Sequence, residues 1–484
     1  MPPGPVPAAA GVFAGLPPPR RDGAELRASV RAMRAADGVL LGVLDDDPTG
    51  SQAVHGVQVV TVLAESACAA ALAGPSAACF VLTNTRSLDA RAAAGRTGRG
   101  ARALLAAARA RGRRIQLVSR SDSTLRGHVM AEIAALRAVR GADGGGGFDA
   151  VLLVPAFLEA GRLTAGDIHW ARAGGELVPV GQTEFARDHA FGYAASDLKE
   201  FIAEKSGGAI RPGAVASITL ADIRTGGPAR VRDLLAGLRD GTWVVVNAAE
   251  YSDLEAVACG AALAERAGQR LAFRTGPSFV RAMTGEEPAE PLRGPRLWPG
   301  GRRPGHGLVV VGSHVGQTSR QLAVLRDRTD VTAVELSVPA ILRGAPDASA
   351  AAAREVTAAL RRSDVLLYTS RAVAAGGSPA ASLAIARTVS EAVARTVRLA
   401  LAARPAWILA KGGITAHDVA RQGLGLRRAE VAGQLFPGLI SVLRPVDARP
   451  AAIGMPYVVF AGNVGDDATL AQVVTILNEP PGAS

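Results

Sequence analysis

The chain has 484 residues, of which 48% are hydrophobic and 20% charged, as in globular proteins with two or three domains of roughly 150 residues. The net charge of +11 comes from arginines scattered through alanine-rich stretches, and only 4% of residues are aromatic, which argues against nucleic-acid binding. Three cysteines without metal spacing, no apolar leader and no long apolar run predict a cytoplasmic protein without membrane segments.

The first part of the chain is predicted to be an α/β domain behind a flexible extension. Residues 1–37 are rich in Pro, Ala and Arg and are expected to be loosely ordered. From 38 to 284, β-rich runs alternate with helical stretches, which predicts βαβ units and a mostly parallel sheet. The predicted strands are 38–44, 57–63, 79–83, 115–119, 150–154, 216–220 and 243–247.

Three carboxylates directly follow the first predicted strand, in the run Asp45-Asp46-Asp47-Pro48-Thr49-Gly50. Open α/β sheets bind ligands beyond the carboxyl ends of their strands. Acidic side chains at that place can hold a metal, a sugar hydroxyl or both, and the sequence leaves these alternatives open.

A second polar cluster follows the strand at 115–119, before a helix predicted to begin at about Val129. Asp122, Ser123 and Thr124 can form hydrogen bonds near the helix start, and the planar guanidinium of Arg126 suits a carboxylate or phosphate. The alternative is that one of the three residues only caps the helix and that Arg126 is solvated.

A third polar segment follows the strand at 150–154. Arg162 and His169 are candidate contacts for an anion or a hydroxyl, and residues 183–188 could form a lid that carries Glu184 and Asp188. The alternative is a surface loop with incidental charge, and a lone histidine is more often structural than catalytic.

Residues 285–306 are rich in Pro, Gly, Glu and Arg and are predicted to be an interdomain linker. A second α/β domain, 307–484, follows with predicted strands at 308–311, 331–336, 364–369, 407–410 and 457–461. The overall prediction is two α/β domains with largely parallel sheets facing an interdomain cleft.

Three glycine-rich turns follow predicted strands of the second domain, at 312–313, 412–413 and 462–465. The N–H groups of such turns and of helix starts suit phosphate, so the turns are expected to surround one crevice. Neither a GxxxxGK[ST] loop nor a GxGxxG fingerprint occurs at them. The alternative for each turn is an ordinary helix start.

Taken together, these elements resemble the four-carbon acid sugar kinase family from about residue 38 to the end. The resemblance rests on ordered motifs: Asp46-Asp47 with Thr49-Gly50, Asp122 to Gly127, Pro155-Ala156-Phe157 with Glu159 to Arg162, Thr183 to Ala186, Val311 to Ser313, Lys411 to Gly413, Glu430 to Gly433 and Gly462 to Asp466.

The resemblance implies a substrate-binding first domain and a nucleotide-binding second domain, with ATP as its Mg²⁺ complex phosphorylating a hydroxyl of a short sugar acid. It places Asp122, Ser123 and Thr124 at the substrate, where Arg162 and His169 are the further candidate contacts identified above. Asp47 or Asp46 would orient and deprotonate the acceptor hydroxyl, and Arg126 would bind the substrate carboxylate. The residues expected at ATP, with backbone amides cradling the phosphates, are Ser313, Gly412, Gly413, Ile414, Thr415, Gly462 and Asn463.

Asp45, Pro48 and Ile414 depart from the motifs of many family members. These departures suggest a subgroup that uses a branched or oxidised acid such as 3-oxo-isoapionate, beside the tetronates and 3-oxo-tetronates. The rival functions are a kinase of another small polyol or acid, a nicotinamide-dependent oxidoreductase and a non-catalytic sugar-acid sensor. The sequence is compatible with a homodimer.

Overall fold

The computed structural model describes residues 9–173, 175–301, 303–312, 316–344, 348–370, 379–462 and 464–480. These residues form two compact units. The first unit takes in the described residues up to Val54 and the segment Leu63–Pro288, and the second takes in His55–Val62 and the described residues from Ala289 onward.

The strands are β1 (Val39–Asp45), β2 (Gln58–Val60), β3 (Ala78–Leu82), β4 (Arg114–Arg120), β5 (Ala150–Val154), β6 (Arg162–Ala165), β7 (Ile168–Ala173), β8 (Glu176–Pro179), β9 (Ala216–Ile218), β10 (Thr242–Val246), β11 (Leu271–Thr275), β12 (Leu308–Val311), β13 (Val331–Leu336), β14 (Asp364–Thr369), β15 (Ile408–Lys411), β16 (Arg428–Phe436), β17 (Leu439–Asp447) and β18 (Tyr457–Phe460).

The helices are α1 (Ala9–Val12), α2 (Gly23–Asp37), α3 (Glu65–Ala71), α4 (Ala90–Arg109), α5 (Val129–Ala142), α6 (Leu198–Lys205), α7 (Leu220–Ala236), α8 (Tyr251–Arg266), α9 (Pro277–Thr284), α10 (Gly294–Leu297), α11 (Gly316–Arg328), α12 (Val338–Leu342), α13 (Ala348–Ala359), α14 (Pro379–Ala400), α15 (Gly413–Asp418) and α16 (Thr469–Asn478). Among the described helices, none has both the length and the hydropathy needed to cross a membrane.

The first unit is built on a parallel sheet in the order β3-β1-β4-β11-β5-β10-β9. Its strands are apolar on both faces, and Leu41, Val43, Phe80, Val118 and Phe273 are completely buried, as expected of a sheet covered by helices. A separate antiparallel sheet, β6-β7-β8, packs its Leu163 and Trp170 against Leu220.

The second unit has a mixed sheet. Strands β13-β14-β12-β15-β18 are parallel, and the antiparallel strands β17, β16 and β2 continue the sheet from β18. Trp407, Val309, Leu409, Val458 and Phe460 lie at the centre of its core. The expectation of mixed α/β domains with largely parallel sheets is therefore confirmed.

The expectation of a loosely ordered extension over residues 1–37 is wrong for the segment that forms α2. Leu26 and Val30 lie one helical turn apart and are buried, so this face packs on α8 and α9. Arg27 pairs with Glu255 at 2.8 Å, and Arg34 Nε donates to the Met283 carbonyl at 2.6 Å.

Two further differences concern the chain path. The strand predicted at 57–63 belongs to the second unit, because β2 pairs antiparallel with β16 and Gly56 N donates to Val431 O at 2.8 Å. Much of the predicted linker also packs in the second unit, where Leu292 N donates to Gln434 O at 2.7 Å and Leu297 and Trp298 are buried.

Candidate active site

The acidic run lies where three neighbouring parallel strands of the first unit end. Asp45 closes β1, in register with Leu82 of β3 and Arg120 of β4. Asp45 and Asp46 are almost completely buried, while the Asp47 side chain keeps 14% of its surface exposed. The strand ends thus form a compact charged cluster of which Asp47 is the most accessible acid.

Two arginines neutralise this cluster. Arg120 Nε lies 2.9 Å from Asp45 Oδ1, and its Nη1 lies 3.1 Å from Asp46 Oδ1. Gly50 lies directly over this guanidinium, since a Cβ at that position would be 1.9 Å from Arg120 Nε. The glycine of the first motif is therefore needed to admit the side chain of Arg120.

Arg86, which follows β3, connects the first two motifs. Its Nε lies 3.3 Å from Asp46 Oδ1, its Nη2 lies 2.8 Å from Asp47 Oδ2, and its Nη1 lies 3.7 Å from Asp122 Oδ1. The Arg86 side chain is itself 18% exposed. This one guanidinium thus holds three carboxylates in a fixed arrangement and remains partly exposed.

The three acids differ in their pKa values. Burial raises the pKa of Asp45 to about 8 and that of Asp46 to about 6, although Arg120 opposes both shifts. Burial also acts on Asp47, but Arg86, Arg120 and the hydrogen bonds from Thr49 outweigh it and lower the Asp47 pKa. At neutral pH Asp47 is therefore the most fully ionised of the three acids, Asp46 is largely ionised, and Asp45 is largely protonated.

One carboxylate oxygen is left without a partner. Asp46 Oδ2 is buried and has no hydrogen bond. It lies beside Gly127, whose φ of 121° is accessible to glycine, and a Cβ there would be 3.2 Å from this oxygen and 3.0 Å from Arg274 Nη2. Arg274 in turn forms a buried ion pair with Glu132.

The Asp122 loop is held mainly by its own side chains. Asp122 Oδ2 accepts hydrogen bonds from Thr124 Oγ1 and, at 2.6 Å, from Arg126 Nε. Arg126 Nη1 also lies 3.6 Å from Asp188 Oδ2. The residue before α5 is His128, so none of Asp122, Ser123 and Thr124 caps this helix.

His169 does not fit the substrate-binding role expected of it. Its ring is completely buried, Nδ1 is 2.9 Å from Thr164 Oγ1, and Nε2 is 2.8 Å from the Ser123 carbonyl. Burial lowers the His169 pKa to about 4, so the ring is neutral. His169 therefore positions the loop at Ser123 and has no ring nitrogen left for a ligand.

The expected lid segment lies against the arginines. The 3₁₀ turn Glu184–Arg187 carries Phe185, whose ring centroid is 5.3 Å from Arg126 Cζ and 6.0 Å from Arg162 Cζ. The structure thus brings Arg126 and Arg162 to one aromatic ring, with Asp188 near Arg126.

In the second unit, the three glycine turns follow adjacent strands. Val311 of β12, Lys411 of β15 and Phe460 of β18 are in register across the sheet. The turns therefore lie side by side at the carboxyl edge, where ligands of open α/β sheets bind. Ser313 and Asn463 lie outside the described residues.

Not every amide expected at a phosphate is available. Gly412 N donates to Phe460 O at 2.8 Å, so the expectation of a phosphate contact through the Gly412 amide is wrong. Gly412 has φ 105° and ψ 140°, and this glycine conformation turns the chain into α15. Gly312 packs closely on that helix, because a Cβ there would be 2.6 Å from Thr415 Oγ1.

Lys411 is a buried cation at the same edge. Its Nζ donates to the Ala461 carbonyl at 3.2 Å and lies 3.8 Å from the centroid of the Phe460 ring. The residue is completely buried, and desolvation lowers its pKa to about 7. Lys411 therefore joins the strand before the 412 turn to the start of the 462 turn.

No group of three His, Cys, Asp or Glu side chains in the described part of the chain is arranged to hold a metal ion.

The sequence analysis did not identify Arg86 and Arg120 as site residues. Arg86 lies in the polar run Thr83-Asn84-Thr85-Arg86-Ser87 directly after β3, which is the same signal that marked the other two strand ends.

Comparisons with known proteins agree with this division of the chain. Residues 41–283 match the family model described as a sugar-binding N-terminal domain, and residues 308–470 match the nucleotide-binding C-terminal domain. The chain is 30% identical over 387 residues to a D-threonate kinase of Cupriavidus necator, covering 76% of this chain and 82% of that protein. The chain belongs to the four-carbon acid sugar kinase family.

A second relative of this chain agrees with the assignment. A D-erythronate kinase of Heliobacterium modesticaldum is 29% identical over 224 residues, which cover 46% of this chain and 45% of that protein. These relatives support the expectation of a carbohydrate-acid kinase.

Two solved structures share the fold. A Haemophilus influenzae protein has a TM-score of 0.57 at 17% identity, over 89% of this chain and 99% of its own. A Salmonella typhimurium protein described as a putative tRNA synthase has a TM-score of 0.61 at 18% identity, over 90% of this chain and 98% of its own.

Proposed function

We propose that this family member phosphorylates a hydroxyl of a small sugar acid with ATP, and that the acid is a tetronate, a 3-oxo-tetronate or 3-oxo-isoapionate. The observation that carries the proposal is the cluster of Asp46, Asp47 and Asp122 bridged by Arg86 at the strand ends of the sugar-binding unit. The names of the D-threonate and D-erythronate kinases support the substrate class.

Asp47 is the residue that we assign to the acceptor hydroxyl. It is ionised and is the most accessible of the three acids, and Thr49 and Arg86 fix the direction of its carboxylate. A low pKa makes Asp47 a weak base, but phosphoryl transfer depends more on orientation and charge neutralisation than on strong base catalysis. Asp46 pairs with both Arg86 and Arg120 and so holds the two guanidinium groups in place.

The glycine turns of the second unit are the proposed nucleotide site. Helix α15 starts at Gly413 after the turn at Gly412, and the close packing of Gly312 on Thr415 leaves no space for a side chain between the two turns. Gly413, Ile414, Thr415 and Gly462 remain the proposed ATP contacts. Mg²⁺ would arrive with ATP and neutralise phosphate charge.

An ADP-release assay with the panel of acids named above tests this function. At least one acid should produce ADP at a rate that saturates with both ATP and acid, and omission of either should abolish release. Binding of NADH would instead favour the oxidoreductase, and acid binding without ADP release would favour the sensor.

A further inference from the structure

Arg162 is a buried cation without a partner. It begins β6, only 6% of its surface is exposed, and its Nε is buried without a hydrogen bond. Among the described residues, no carboxylate oxygen lies within ion-pairing distance of its guanidinium. Its backbone is fixed in both directions by hydrogen bonds with Phe157, at 2.9 and 3.0 Å.

Such a group is strongly unfavourable unless something compensates its charge. A buried charge normally has a partner, and a guanidinium cannot escape the cost by losing its proton. Asp122 is near enough to influence the Arg162 pKa, but its oxygens already bind Arg126 and approach Arg86. Asp122 thus compensates the buried charge of Arg162 only in part, since burial still lowers the Arg162 pKa.

The other arginines of the site are already engaged. Arg86 and Arg120 hold the acids of the first motif, and Arg126 holds Asp122 and approaches Asp188. Arg162 shares only the Phe185 ring with Arg126. Among these four arginines, Arg162 is thus the one whose guanidinium forms no ion pair with a described carboxylate.

We propose that Arg162 binds the carboxylate of the substrate and selects sugar acids over neutral polyols. This inference rests on the proposed function, because it names the residue that recognises the acid end of the same substrate. Arg126, for which that role was expected from the sequence, instead orders the Asp122 loop. An Arg suits this task because its planar fork can donate two parallel hydrogen bonds to one carboxylate.

The first test uses the protein without ligand. Arg162→Met should melt at the same temperature as the wild type or higher, because the substitution removes a buried charge that its neighbours compensate only in part. Arg172→Met, at an exposed position on the adjacent strand β7, is the matched control. A marked fall in the melting temperature of Arg162→Met alone would mean that Arg162 is structural, and would overturn the inference.

The second test measures binding by calorimetry without ATP. The wild type and Arg172→Met should bind at least one acid of the panel and prefer it to the corresponding neutral polyol. Arg162→Met should weaken acid binding by about 100-fold or more while leaving polyol binding unchanged, and Arg162→Lys should recover part of the loss.

Equal acid affinity in the wild type and Arg162→Met would overturn the inference, as would a wild type that binds none of the acids. The proposed function fails separately, because acid binding that depends on Arg162 but leads to no ADP release would contradict the kinase and leave the carboxylate site standing.

Discussion

Asp47 is set apart from Asp45 and Asp46 by its exposure and its lowered pKa. Asp47→Asn should lower kcat by about 100-fold or more, because an amide can neither accept the proton of the acceptor hydroxyl nor pair with Arg86 as an anion. Steady-state kinetics with the best acid measures the effect, and Asp233→Asn on the exposed surface is the control. Near-normal turnover of Asp47→Asn would exclude the role.

The raised pKa of Asp46 predicts that kcat/KM falls on the acid side of its pH profile, which is its acid limb. Its pKa is raised to about 6, so the carboxylate is ionised above that pH and becomes protonated as the pH falls through it. Protonation of Asp46 weakens its ion pairs with Arg86 and Arg120, so kcat/KM should fall below about pH 6. Asp46→Asn should be less active and should lack this limb, and a limb that persists unchanged in Asp46→Asn would refute the assignment.

Lys411 predicts a pH dependence of stability. Its folded-state pKa is lowered to about 7, so between that pH and its ordinary value the unfolded chain binds more protons and stability rises with pH. The free energy of unfolding of Lys411→Met should therefore exceed that of the wild type most clearly below pH 7, and this difference should disappear towards pH 10. Denaturant unfolding at several pH values measures this, and a constant difference would contradict it.

At the scale of elements, the Gly312 turn is coupled to α15. A Cβ at Gly312 would be 2.6 Å from Thr415 Oγ1, so Gly312→Ala should push the two turns apart and raise KM for ATP by about 10-fold, at a cost in stability of about 1–3 kcal/mol. Gly300→Ala is the control, since a Cβ at that position would have no neighbour within 4 Å. An equal KM for ATP in both variants would show that the Gly312 turn is not part of the nucleotide site.

The strands that could be predicted are those with uninterrupted apolar runs, such as β1 and β12. Strand β11 was missed because Arg274, buried against Glu132, interrupts its pattern. Strand β2 was located approximately but assigned to the wrong unit, because a local pattern predicts a strand and not its pairing partner. The antiparallel pair β16 and β17 was missed altogether.

The acids of the site were predictable because they lie just beyond the ends of predicted strands, as Asp46 and Asp122 do. The environment of each side chain was not, since it depends on long-range contacts. His169 satisfies both ring nitrogens with Thr164 and Ser123. Arg120 was overlooked because it is the last residue of a strand, with a partner 75 positions earlier in the chain at Asp45.

At the scale of the whole molecule, the sugar-binding match and the nucleotide-binding match fall almost entirely on different compact units. The chain enters the second unit at His55–Val62, returns to the first, and enters the second again after Pro288. Each unit therefore depends on residues distant in sequence, and the proposed reaction requires ligands of both units together.

Phosphorus NMR of the reaction products tests the central claim most directly. With ATP and the preferred acid, the wild type should produce a phosphomonoester of the acid and an equal amount of ADP, and Asp47→Asn should produce almost none. Release of free phosphate without a sugar-acid ester, or ester formation at the wild-type rate by Asp47→Asn, would contradict the account.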